Sequence, residues 1–162
     1  MLERLISFLQ GEALPPVAAW RREDVEVAAA ALLVEAARVD GAMVPAERAA
    51  ITALLGERFG LDPAGAEALL ALGIEADERT VQLHRFATVV NQRFTEEERV
   101  ELIEMLWAVV YADGVLSAYE ANLLRRIGGL LYVADRDRGA ARQRVLARLG
   151  RSEPRKAADG AS

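Results

Sequence analysis

Two short stretches, Asp40-Gly-Ala-Met-Val-Pro-Ala-Glu47 and Asp113-Gly-Val-Leu-Ser-Ala-Tyr-Glu120, each set an aspartate and a glutamate seven residues apart around a glycine. Carboxylates so spaced suit the hard divalent cations Ca²⁺, Mg²⁺ and Mn²⁺, which take oxygen ligands. The pattern is that of the second half of an EF-hand loop, where Gly makes the sharp turn and the last Glu binds through both oxygens. The first half is missing. Its ligand positions hold Ala36 and Arg38 in one copy and Val109 and Tyr111 in the other. One Asp and one Glu cannot supply the roughly six to eight oxygens that Ca²⁺ takes, and Arg38 repels the ion, so an ordinary EF-hand is excluded.

A structural reading needs no ion. Gly41 and Gly114 can end a helix in the left-handed conformation, and Asp40 and Asp113 can accept bonds from turn amides. Glu47 and Glu120 then fall at the third position of the next helix, where a carboxylate caps free N–H groups, while Met43 and Leu116 pin each turn to the core. Alternatively the two turns face each other, so that Asp40, Glu47, Asp113 and Glu120 converge and need a cation, a proton or a basic partner. Both readings stay open at the level of sequence.

Other chemistry finds little support. There is no cysteine and one histidine, hence no thiolate site and no His/Cys zinc spacing. No serine sits in a G-x-S-x-G turn, and there is no phosphate-binding glycine loop, so catalysis is not expected. His84 and Asn91 share a helical face and read as packing or binding residues. Glu96, Glu97, Glu98, Glu101 and Glu104 read first as a solvated helix start favoured by the dipole, and second as an acidic docking face.

The positioning elements are all helical in expectation, with no strand. Leu2, Leu5, Ile6 and Leu9 form a short amphipathic helix. A second helix begins near Asp24 and runs to the first Asp-Gly, a third starts at Pro45, and a fourth at Pro63 with Asp62 as its cap. The fifth spans about Glu78 to Gln92. Capping boxes at Thr95/Glu98 and Ser117/Glu120 open the sixth and seventh, and the eighth runs near Arg136 to Leu149. Trp107 is expected in the core, with Trp20 stapling the first helix to the bundle.

A shift of 73 residues lays Asp40 on Asp113, Gly41 on Gly114, Glu47 on Glu120, Phe59 on Tyr132 and Asp62 on Asp135. One such repeat predicts a single-domain all-α bundle of seven to eight helices built from two pseudo-twofold-related helical hairpins. The expected divisions are 1–23, an N-terminal amphipathic helix and linker; 24–149, the helical domain; and 150–162, a disordered polar tail.

The chain of 162 residues is 52% apolar and carries a net charge of −5. Arg136 to Lys156 holds eight basic and two acidic residues, which leaves −11 on the remainder. An acidic chain without aromatics among its basic residues predicts no specific nucleic-acid binding. No apolar run reaches the roughly 20 residues of a membrane span. The first helix has one basic residue, Arg4, so peripheral membrane contact is at most weak. The opening lacks the basic region and continuous apolar core of a signal peptide, which predicts a cytoplasmic location.

The segments ALLVEAARVDGAMVPAERAAITALL and RFATVVNQRFTEEERVELIEMLWAVVYADGVLSAYEANLLRRI resemble the TerB-like tellurite-resistance family, which is related to the N-terminal domain of the co-chaperone DjlA. The resemblance covers about Asp24 to Leu149, and the doubled Asp-Gly turn is its most specific element. It implies a helical bundle with metal binding at Asp40, Glu47, Asp113 and Glu120. The chain has no His-Pro-Asp tripeptide, so chaperone stimulation does not carry over, and Val39 and Pro45 make its first turn the less typical. The resulting expectation is a non-enzymatic interaction module linked to stress response, with a divalent cation at the paired turns. The alternative is a structural or self-associating scaffold whose acidic turns are only helix caps.

Overall fold

The computed structural model describes residues 2–39, 41–80, 82–150 and 155–156. Eight α-helices occur among them: α1 (Glu3–Leu9), α2 (Arg22–Arg38), α3 (Pro45–Phe59), α4 (Pro63–Arg79), α5 (Leu83–Arg93), α6 (Glu96–Val110), α7 (Ala118–Leu130) and α8 (Asp135–Leu149). A single 3-10 turn, Val17–Ala19, lies between α1 and α2. The all-helical expectation holds, with one small addition. Val115–Leu116 (β1) pairs in parallel with Arg155–Lys156 (β2), an extended contact where no strand was expected. Most of the expected polar tail lies outside the described residues.

Helix α2 is the centre of the bundle because its middle is apolar on every side. Its run Val27 to Val34 is fully buried, as befits a helical stretch without a polar face. It packs on α3, α4, α5, α6 and α7, and its most extensive partner is α4. Each large aliphatic side chain so buried contributes about 1.5–3 kcal/mol relative to exposure. Around it, α6 contributes Leu102, Ile103, Leu106, Val109 and Val110, and α7 contributes Leu123, Leu124 and Ile127.

The N-terminal helix belongs to the same core. Leu5, Phe8 and Leu9 are buried, and Trp20 meets Phe8 edge-on with ring centroids 5.7 Å apart. Arg85 of α5 lies over the Phe8 ring and donates to the Phe8 carbonyl at 2.8 Å. This is the staple expected of Trp20. Trp107 is also core, stacked on the fully buried Tyr111, with Arg142 of α8 over its ring and donating to the Tyr111 hydroxyl.

Helix α8 carries much of the basic charge and packs on α6. Arg144 and Arg148 both reach Glu104, at 2.9 and 3.0 Å, and Arg58 of α3 reaches Glu98 and Glu101. The glutamates of α6 that could have formed a docking face are thus partly matched within the chain.

Two expected boundaries move. Helix α4 continues through Glu78 to Arg79, so α5 begins at Leu83 and not near Glu78. Burial of Ala76 beside the central helix explains why α4 outlasts its apolar sequence. The repeat also loses a residue after its turns. Helix α3 ends at Gly60 with the Leu61 N–H bonded to the Gly56 carbonyl, whereas α7 ends with the Val133 N–H bonded to the Gly128 carbonyl. The exits are therefore 72 residues apart, and the left-handed Gly60 corresponds to Tyr132, which has φ +57° and is 78% exposed. Phe59, aligned with Tyr132 by sequence, is instead buried. Asp62 caps α4 through the Gly65 N–H at 2.7 Å, but Asp135 is already the first residue of α8, behind Ala134.

Candidate functional site: the acidic turns

Both turns are made by the same local bonds. The Gly41 N–H donates to the Arg38 carbonyl at 3.1 Å and the Gly114 N–H to the Tyr111 carbonyl at 3.0 Å. Gly41 has φ +144° and Gly114 φ +82°, backbone conformations that a side chain rarely adopts. Glycine is required at both positions for this reason. Met43 packs against the core and Leu116 lies within it, which fixes the depth of each turn.

The glutamates act as helix starts. Glu47, at the third position of α3, accepts the Val44 N–H at 3.0 Å, and Glu120 of α7 accepts the Ser117 N–H at 2.9 Å. The second copy is the fuller cap, because the Ser117 hydroxyl accepts the Glu120 N–H at 3.0 Å. Val44 has no such oxygen, so the first turn has only the glutamate half. Both carboxylates are buried, Glu47 to 3% exposure and Glu120 to 2%.

Of the four expected metal ligands, the structure thus places Glu47 and Glu120 inside the helix caps and Asp113 at the surface. Asp40 lies outside the described residues, so its approach to Asp113 is not part of the geometry. Among the described residues no three His, Cys, Asp or Glu side chains gather as a metal cluster.

His84 is exposed. Asn91, its neighbour on the α5 face, donates through Nδ2 to the Leu130 carbonyl at 2.9 Å. It thereby satisfies an end carbonyl of α7 that the helix itself leaves unpaired. This is a packing role.

A second acidic feature was not singled out from the sequence. Asp77 of α4 lies at the seam with α2, where Glu35 bears on its carboxyl. The Asp77 side chain is only 8% exposed, and its nearest cation, Arg38 Nη1, stands 3.9 Å from Oδ2. Burial first, and then Glu35, push the Asp77 carboxyl up to about 8, against a smaller lowering by Arg38. Its signal was present in the spacing. Ala66, Leu70 and Gly73 form a buried stripe on α4, and Asp77 is the next member of that stripe.

No helix among the described residues is long and apolar enough to cross a membrane. No curated protein and no solved structure matches the chain. The family described as Tellurite resistance protein TerB matches residues 26–143, a span from the second turn of α2 into α8 that includes both acidic turns. The chain therefore belongs to the TerB family of tellurite resistance proteins.

Proposed function

We propose that this chain is a cytoplasmic, non-enzymatic TerB-family interaction module of the stress (tellurite) response, and that its paired acidic turns bind a divalent cation. The observation that supports this reading is the duplicated turn itself. Each copy holds a buried glutamate seven residues after an aspartate, behind a glycine of positive φ. A hard cation such as Ca²⁺, Mg²⁺ or Mn²⁺ suits such oxygens. Asp40, Glu47, Asp113 and Glu120 would supply its oxygen ligands.

The second reading is a structural or self-associating scaffold whose turns are caps alone. It is favoured by the cap bonds, since Glu47 and Glu120 each already hold an N-terminal amide. Calorimetry with Ca²⁺, Mg²⁺ and Mn²⁺ separates the two. Binding that is lost in Asp113→Asn supports the cation site. Absence of heat with all three ions, in a folded protein, leaves the caps-only reading.

A further inference from the structure

We propose that the extended backbone of the second acidic turn, Val115–Leu116, is a strand-addition site for a basic peptide, and that the chain's own segment Arg155–Lys156 is its resident occupant, which a partner must displace. The parallel pair sets Val115 opposite Arg155 and Leu116 opposite Lys156. An extended stretch at a turn carries N–H and C=O groups that no helix uses, and a second extended chain satisfies them by main-chain bonds. The flanking amides are already taken. The Gly114 N–H is held by the Tyr111 carbonyl and the Ser117 N–H by Glu120, which limits N–H pairing at the turn to Val115 and Leu116.

The pairing is not a property of the turn alone. The corresponding residues of the first turn, Ala42 and Met43, are paired in no strand among the described residues, although the Gly41 N–H bond repeats that of Gly114. What differs is the tail. Gly150, with φ +71°, ends α8 and turns the chain off the helix axis. Arg148 just before it reaches Glu104, and Glu104 lies six residues, about 9 Å of helix rise, before the end of α6 at Val110. The five residues from Gly150 to Arg155 extend up to about 17 Å. The tail is therefore long enough to return along α6 to the turn that follows it.

Charge favours a basic occupant. Asp113, two residues before the pair, is exposed. Residues 151–156 hold Arg151, Arg155 and Lys156 against Glu153, a net +2, which leaves −7 on the remainder of the chain. Two residue pairs make a ladder too short to stand by itself, so the contact depends on tethering, which holds the tail at an effective concentration of about 1 mM. The same shortness makes it exchangeable. An extended basic segment of a partner, paired over more residues, offers the same main-chain bonds and takes over the turn. This names a partner surface for the interaction module proposed above and rests on that reading, but not on the cation, because main-chain pairing needs no carboxylate ligand.

Amide NMR of the full chain, in EDTA so that no divalent cation takes part, tests the proposal with the free peptide Arg151–Ser162 as probe. The double substitution Arg155→Asp with Lys156→Asp lies outside the helices, so it should leave the fold intact and shift the Val115 and Leu116 signals. Added peptide should then move those two signals in the double variant. For a peptide Kd of about 0.1 mM, competition from a tail at about 1 mM predicts a midpoint about ten-fold lower in the double variant than in the wild-type chain. A peptide with the same two substitutions should not bind. Val115 and Leu116 signals indifferent to the double substitution overturn the resident contact, and equal midpoints in the two proteins overturn the competition. Equal binding of the substituted peptide overturns the basic preference. A wild-type dimer that the double substitution abolishes, seen by light scattering, makes the occupant a second copy's tail and overturns the intramolecular arrangement. The calorimetric cation titration reads a separate signal, so failure of either leaves the other legible.

Discussion

Gly73 of α4 and Ala30 of α2 are in such close contact that a Cβ built on Gly73 would lie 2.8 Å from the Ala30 Cβ and 3.1 Å from its carbonyl carbon. The neighbour is backbone at the centre of the bundle, so it cannot swing aside. Gly73→Ala should therefore destabilise, by about 1–3 kcal/mol of overpacking less the ~1 kcal/mol that alanine gains in a helix. Gly139→Ala in α8, where nothing lies within 4 Å, should instead stabilise by up to about 1 kcal/mol. Urea unfolding of both variants checks the opposite signs.

The Ser117/Glu120 box separates capping from ligation. Ser117→Ala removes the oxygen that accepts the Glu120 N–H and should cost about 1 kcal/mol. Glu120→Gln keeps an acceptor for the Ser117 N–H and should cost less, as read by thermal unfolding. If Glu120 also holds a cation, Glu120→Gln weakens calorimetric binding far more than it lowers the melting temperature.

Tyr132 is an exposed side chain in a left-handed position of the kind that Gly60 fills at the end of α3. Its backbone carries about 1–2 kcal/mol of unfavourable sterics. Tyr132→Gly relieves this and gives back part of it in unfolded-state entropy. A gain of about 0.5–1 kcal/mol is expected from chemical denaturation, whereas Tyr132→Val should lose stability because branching at Cβ worsens the same conformation.

Glu98 contributes to the acid side of the stability profile. The Thr95 N–H bonds its carboxylate at 2.8 Å, and this bond, with Arg58 assisting, holds its pKa below the ordinary value. A depressed folded pKa stabilises above the unfolded pKa, and that stability disappears as pH falls through the folded one. Glu98→Gln should lower stability in the neutral range and converge on the wild-type chain as pH falls, so that its stability curve is flatter through the ordinary glutamate range at about pH 4.3. Thermal unfolding from pH 3 to pH 7 measures the difference in slope.

The helix starts and the acidic turns were legible in the sequence because their causes are local. Thr95 with Glu98, Ser117 with Glu120 and Asp62 with Gly65 each complete a bond within three residues, and Gly41 and Gly114 need only their own φ. The same locality placed Glu47 and Glu120 at the third helical position. The end of α4 was misplaced because the stretch Glu75 to Arg79 reads as polar, while Ala76 and Asp77 are held against α2 by packing that no local pattern encodes. The one-residue slip at Tyr132 has a similar origin, since where a helix ends depends on the core it must fit.

By itself, then, the sequence determined an all-helical chain, its caps, its doubled Asp-Gly turn and its family, each a matter of residues a few positions apart or of a pattern repeated along the chain. Only the tertiary structure decided that Glu35 and Asp77, forty-two residues apart, share one seam. The Asp77 carboxyl is pushed far above the ordinary aspartate range only because the packing of α4 on α2 takes it out of water beside Glu35, at the same seam where Gly73 meets Ala30.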